Sequence, residues 1–209
     1  SPYPSAAPGT ATVGIQLHDP ELDTIHPLQL NYIQTFFTDF ENALAGPNFN
    51  DPQTGYAPYI DVLSFIDFFL VNEISKNVDG YRISSFMYKQ KVSEGGKLVA
   101  GPLWDFNIAL GNANYCAGGS TSGWAKDFNS ICGGGLQVPF WWSKLLMDST
   151  YANLTHCRWL ALRQNVLSDS LILQSIDSIA QQLDSASIRH YQRWPILGIY
   201  VWPNNYIGQ

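Results

Sequence analysis

Charge is scarce in this chain. Only 13% of its 209 residues are Asp, Glu, Lys or Arg, roughly half the ~25% usual for soluble domains. No lysine precedes Lys76, and no basic run occurs anywhere. With a net charge of −6, these features exclude a nucleic-acid partner, because affinity for phosphate backbones needs clustered Lys and Arg. Long apolar runs are also missing. The densest stretch, Phe65 to Val71, is interrupted by Asp67, and nothing approaches the ~18 residues that span a bilayer. The opening SPYPSAAPGTATVG lacks the charged start and apolar middle of a signal peptide. The first residue is Ser rather than Met, so the chain is read as a processed product or an excised piece. Cysteine is limited to Cys116, Cys132 and Cys157, with no CxxC pair and no nearby histidine cluster, which argues against a zinc site. The four histidines, His18, His26, His156 and His190, are scattered and read as surface or core residues.

What is present is apolar and aromatic. Hydrophobic residues make up 45% of the chain and aromatic residues 14%, including seven Trp. That composition implies a large core or broad apolar contact faces, and the length suits one good-sized domain or two small ones. Low charge with high aromatic content is read as a secreted or cell-surface protein. Cys116 and Cys132 flank the Gly/Ser-rich loop AGGSTSGWAKDFNSICGGG. A disulfide there would contribute roughly 3 kcal/mol; two open thiols are the alternative. Cys157, in the apolar pattern LTHCRWLAL, is expected to be a buried free thiol.

Residues 1–26 are Pro/Gly/Ala-rich and read as an irregular N-terminal segment, with TATVGIQL supplying one strand. From Pro27 the pattern turns helical. Leu30, Ile33, Phe36 or Phe37, Phe40 and Leu44 recur three or four apart, up to Gly46. GPNFNDPQTGYAP is a loop. A second helix from about Tyr59 to Lys76 is apolar nearly all round, with Asp61, Ser64 and Asp67 as one narrow polar stripe. A helix with so little polar surface is central and buried. NVDGYR is a turn, and RISSFMYKQ and KLVAGPLWD, joined by VSEGG, form a hairpin over about 82–104. Beyond Gly135 the pattern is helical: VPFWWSKLLMD, YANLTHCRWLALRQNVL, and a last helix with Ser168 as cap and Asp169 in its first turn. The tail PILGIYVWPNNYIGQ is expected to pack across the helices. The fold class is mainly α with a small β-hairpin, an α+β arrangement, with residues 27–209 as a single unit.

Two acids stand out: Asp79 in NVDGYR, directly after the apolar helix, and Asp105 in GPLWDFN, between Trp104 and Phe106. A carboxylate between large aromatics is either paired or working. The intervening hairpin folds the two acids back toward one another. Phosphoryl transfer needs such a pair, one carboxylate to orient or deprotonate the attacking hydroxyl and one to hold Mg²⁺ against nucleotide phosphates. Asn107 adds an amide oxygen two residues on, a hard ligand suited to Mg²⁺.

SFIDFFLVNEISKNVDGYR, the strand pair with MYK and GGKL, GPLWDFNIALGN, and the later VPFWWSKLL, CRW and QRWPILG together resemble the CotH kinase family. These are spore-coat-type atypical kinases with secreted bacterial relatives. The resemblance covers most of residues 28–205 and implies a protein-kinase-like C-terminal lobe. It implies Asp79 as the catalytic acid and Asp105 as the metal-binding acid, completed by Asn107, Gly111 and Asn112. Lys76, Asn77, Arg82 and Asn112 would lie beside nucleotide or substrate. For a full-length parent it implies Mg²⁺ and ATP, with a Ser/Thr-bearing protein substrate or extracellular partner. Two departures accompany it. Ser84 and Ser85 stand where protein kinases carry a second metal-binding Asn. An upper lobe with a phosphate-pairing Lys has no room before Pro27. The chain is therefore expected to match the lower lobe alone and to be inactive as a fragment.

Plainer roles stand beside these. Asp79 before Gly80 suits a turn. Asp105 suits a buried salt bridge to Lys76 or Arg82, and Lys76 suits the negative end of a helix dipole. Asn107 and Asn112 suit loop hydrogen bonding. Trp141, Trp142, Trp159, Trp194 and Trp202 suit the core, with an exposed sugar-binding face as the alternative. A secreted, noncatalytic glycan- or protein-binding module with the same fold is the competing function. Carboxylates of Asp79 and Asp105 converging within ~4–5 Å would favour the kinase reading.

Overall fold

The computed structural model describes residues 3–5, 13–133 and 135–205. Two short strands, β1 (Tyr3–Pro4) and β2 (Gly14–Ile15), pair antiparallel ahead of the first helix. The strand expected in TATVGIQL is thus confined to its middle; Thr10 to Thr12 lie outside the described residues. Then follow α1 (Pro27–Ala45), α2 (Val62–Ser75), β3 (Ser85–Lys89), β4 (Leu98–Leu103), α3 (Phe128–Ile131), α4 (Trp141–Leu145), α5 (Ser149–Arg163) and α6 (Asp169–Arg193). The protein is predominantly helical, with a small antiparallel hairpin, β3–β4, between α2 and the later helices.

Helix α2 is the centre. Phe65, Ile66, Phe68, Phe69 and Leu70 are all buried. The indole of Trp142 in α4 stacks on Phe68 with centroids 5.5 Å apart, and Tyr81 meets Trp142 at 4.8 Å. Trp141 packs edge-on against Phe40 of α1 at 5.2 Å. Offset and edge-to-face pairs of this kind add to simple burial. The carboxylate of Glu41, also fully buried, accepts from the Trp141 indole N–H at 2.8 Å, joining α1 to α4 inside the core.

The narrow polar stripe of α2 is fully employed. Asp61 caps the helix by accepting from the Ser64 backbone N–H, so α2 starts at Val62 rather than near Tyr59. The Ser64 hydroxyl accepts from the Ala100 N–H of β4, and Asp67 forms a two-bond ion pair with Arg158 of α5 at 2.7 and 3.0 Å. The hairpin is tied down further where Leu98 exchanges backbone bonds with Tyr59 and Asp61. Helix α5 is capped by Asp148, whose buried carboxylate takes the Thr150 N–H and the Tyr56 hydroxyl, the latter at 2.6 Å.

Four expectations are corrected. Cys157 is exposed, because the buried positions of α5 are Tyr151 and Thr155, and Cys157 points away from that face. The described part of the tail docks on a loop rather than across the helices. Trp202 stacks on Tyr115, and Asn114 and Asn112 bond Pro203 and Asn204, so residues 202–204 lie along the 112–115 loop. Trp194 and Trp202 are exposed rather than core, whereas Trp141 and Trp142 are buried. Ser168 occupies the cap position of α6, but its side chain makes no capping bond. Among the described residues no helix is long and apolar enough to cross a membrane.

Cys116 and Cys132 are joined by a disulfide that closes a loop over 16 positions. Reducing it, or replacing Cys116→Ser, is expected to lower the unfolding free energy by about 3 kcal/mol through regained chain entropy. Urea denaturation with and without reductant measures this, and an unchanged midpoint would refute it.

Candidate functional site

The site is built on the C-terminal end of α2. Lys76 ends the helix in the left-handed conformation, with φ 45°. The chain then folds into a tight turn in which the Asp79 carbonyl accepts from the N–H groups of Arg82, Ile83 and Ser84. Asn77 is 1% exposed. Its side-chain oxygen accepts from the Asp79 N–H at 3.2 Å, and its amide donates to the Asp105 carbonyl at 3.3 Å. One buried amide therefore joins the two acid-bearing loops. Gly80 is needed for space: a Cβ there would fall 1.8 Å from the side-chain oxygen of Asn72, itself buried. Tyr81 then turns inward, donating to the Phe69 carbonyl and to Glu73.

The carboxylate of Asp79 is held on two sides. Arg82 donates to it at 2.7 Å, and the Tyr115 hydroxyl lies 3.3 and 3.4 Å from its two oxygens. Burial, and then the adjacent Asp79 charge, raise the Tyr115 phenol above its ordinary range, so it remains a donor. Arg82 is itself pinned: it donates to the Val78 carbonyl, and its guanidinium lies 3.9 Å over the Phe128 ring. The Asp79 side chain keeps 17% of its surface open, against 9% for Arg82.

Asp105 differs from expectation. It is exposed, with φ 58°, and its carboxylate forms no ion pair among the described residues. The proposed partners are committed elsewhere, Arg82 to Asp79 and Lys76 to the carbonyls of Ser120 (2.9 Å) and Ser122. The aromatic neighbours do not enclose Asp105, because Trp104 is 60% exposed and leans against Phe86. Asn107 is exposed as well, and its carbonyl accepts from Asn112 at 3.0 Å. Asn112 bonds Asn204 too. Ile108 and Ala109 are buried, and the Leu110 N–H donates to the Ser75 carbonyl at 2.6 Å. The backbone of this loop is thus anchored to the end of α2 while Asp105 and Asn107 face outward.

Sequence reasoning missed two supports. Glu73 reaches from the last turn of α2 to accept from the backbone N–H groups of Ala125 and Lys126, at 2.8 and 2.9 Å, as well as from Tyr81. It orders the disulfide-closed segment. The available signal was one acid near the end of an apolar helix. Tyr115 carried no signal, since nothing local marks its reach to Asp79. Cavities of about 260 Å³ along residues 113–120 and about 310 Å³ between α2 and β4 are lined by neither aspartate. Among the described residues no three His, Cys, Asp or Glu side chains are grouped to hold a metal ion.

A family model described as CotH kinase protein matches residues 8–207. The chain belongs to the CotH kinase family. The match takes in nearly the whole chain, which corrects the expectation that the likeness is to a C-terminal lobe alone. No curated protein and no solved structure matches the chain.

Two outcomes follow from this geometry. Gly80→Ala should destabilise the fold by about 1–3 kcal/mol through overpacking against Asn72, read by denaturation; a neutral effect would show that Asn72 can yield. Desolvation raises the Glu73 pKa above 4.5, outweighing its hydrogen bonds. The folded state therefore holds this proton more tightly than the unfolded chain does. The associated stability is fully present below 4.5 and is lost as pH rises through the folded value. Carboxyl NMR should place the Glu73 midpoint above 4.5, and Glu73→Gln should remove that pH-dependent component. A midpoint at or below 4.5 would contradict the assignment.

Proposed function

We propose that this CotH-family chain serves Mg²⁺-dependent transfer of the terminal phosphoryl group of ATP to a Ser or Thr hydroxyl, with Asp79 engaging the acceptor and Asp105 and Asn107 facing the metal. The observation that carries this reading is the contrast between the two acids. Asp79 is held in one orientation by Arg82 and Tyr115 yet keeps an open edge, while Asp105 is exposed and, among the described residues, outside any ion pair, on a loop tied to the same turn through Asn77. Mg²⁺ favours hard oxygens and is commonly bound through one or two carboxylates, with water and substrate phosphates completing its shell. An outward carboxylate and a nearby outward amide fit that donor set. When bound, Mg²⁺ neutralises charge developing on the transferred phosphoryl oxygens.

The chain's own residues position and move a proton. The open edge of Asp79 accepts the hydrogen of the substrate hydroxyl. As that oxygen bonds to phosphorus and ADP leaves, the proton passes to an Asp79 carboxylate oxygen. Arg82 and Tyr115 keep the carboxylate from rotating, and Asn77 holds the Asp79 turn in register with the Asp105 loop. Lys76 and Arg82 are spent on internal partners, so their contribution is to order the site's walls. The Cys116–Cys132 disulfide supports placement in an oxidising, extracytoplasmic compartment.

The test is Mg²⁺-dependent nucleotide binding and γ-phosphoryl transfer to Ser- and Thr-bearing protein. Asp79→Asn should lower turnover by about 10²–10⁴-fold with nucleotide binding retained. Asp105→Ala should abolish the Mg²⁺-dependent part of binding. Equal binding by wild type and Asp105→Ala would sink the metal assignment, and unchanged turnover in Asp79→Asn would sink the acid. A wild-type chain that binds no nucleotide with or without Mg²⁺ would return the fold to a noncatalytic binding module.

A further inference from the structure

Helix α6 stands apart from the core. It runs 25 residues, and none of them is buried, although a helix in water gains most of its stability from packing an apolar face. At its start Asp169 pairs with Arg163 of α5 at 2.7 Å. Along its length Ile172, Ile176, Ile179, Leu183, Ala186 and His190 are spaced alternately four and three apart. That is the spacing of the seam between two paired helices. Ile176, Ile179 and Leu183 are each 55–56% exposed. The opposite side carries Gln174, Gln181, Ser185 and Gln192, interrupted by Ile188, so the apolar residues concentrate along the seam.

The order of charges identifies the occupant. All the acids of α6, Asp169, Asp177 and Asp184, precede all its bases, Arg189, His190 and Arg193. A second copy running antiparallel sets the basic end of each helix beside the acidic start of the other. Centring the overlap between Ile179 and Leu183 brings Ile176 opposite Ala186, and Asp169 opposite Arg193. Antiparallel packing also opposes the two helix dipoles favourably. A parallel pair would place like charges side by side. A lipid surface is disfavoured, because α6 has no lysine and membrane-surface helices carry basic polar faces. A standard stable interface needs roughly 800 Å² per partner, and α6 offers a seam that runs the length of a 25-residue helix. We propose that α6 is a self-association face through which two copies of this chain pair antiparallel.

The experiment measures solution mass and orientation in a Cys157→Ser background, which removes the exposed free thiol. Light scattering after gel filtration should give twice the 23.3 kDa chain mass. Ile179→Asp combined with Leu183→Asp should weaken association at least ~100-fold while leaving the near-UV circular dichroism of the buried aromatic core unchanged, since neither side chain belongs to that core. Under oxidation, a mixture of Ile176→Cys and Ala186→Cys chains should cross-link, and Ala186→Cys alone should not. A wild-type mass of one chain at tens of micromolar overturns the proposal. So does a dimer that survives the double Asp substitution, and cross-linking by Ala186→Cys alone would show the pair to be parallel.

Discussion

The burial of Tyr81 is the contact on which the rest of the site depends. Its ring fills a slot beside Phe68, Phe69 and Trp142, and its hydroxyl, deep in the protein, finds both a backbone carbonyl and Glu73. Burying an aromatic ring of this size stabilises by roughly 1.5–3 kcal/mol, enough to decide where the preceding turn lies. Asp79 sits two residues upstream and so cannot move without withdrawing Tyr81 from the core. Glu73 extends the same anchor outward, because its second oxygen takes the Ala125 amide and brings the disulfide-closed segment against the helix end.

This arrangement lets an exposed site be rigid. Loops that carry functional groups lie at the surface, and a scaffold must hold them. Here each loop is held through its backbone and its small amides: Asn77 between the two acid loops, Asn112 beneath Asn107, and Lys76 across to the Ser120 and Ser122 carbonyls. The carboxylates themselves are then left to differ. Asp79 is braced by two partners, and Asp105 has an unobstructed face toward solvent. Two acids 26 positions apart thereby acquire distinct environments from one helix terminus.

Much of the frame was legible from residue order. The period of Leu30 to Leu44 marks α1, the nearly unbroken apolar surface of Phe65 to Val71 marks a central helix, and the polar link between two apolar runs marks the hairpin. Asp79 and Asp105 were also visible as candidates, because acids beside apolar segments demand explanation. The enclosure of Asp105 was misjudged, since neighbours in sequence need not be neighbours in space: Trp104 turns toward Phe86 and leaves the acid open. Cys157 was misjudged for a related reason, as an apolar stretch on a half-buried helix still has an outer side. The tail's docking on the 112–115 loop pairs Trp202 with Tyr115 and Asn204 with Asn112 across about ninety positions, a separation that nothing local along the chain announces.

The sequence alone determined the elements, their order, the central place of α2 and the pair of acids on either side of a hairpin, because these follow from local periodicity and turn chemistry. Only the tertiary structure decided that Arg82 and Tyr115 embrace Asp79, that Asp105 is exposed, that Glu73 gathers amides from about fifty residues away, and that α6 keeps an apolar face uncovered. Those outcomes arise from which surfaces meet when α2 is buried, and the meeting of distant surfaces leaves no local mark along the chain.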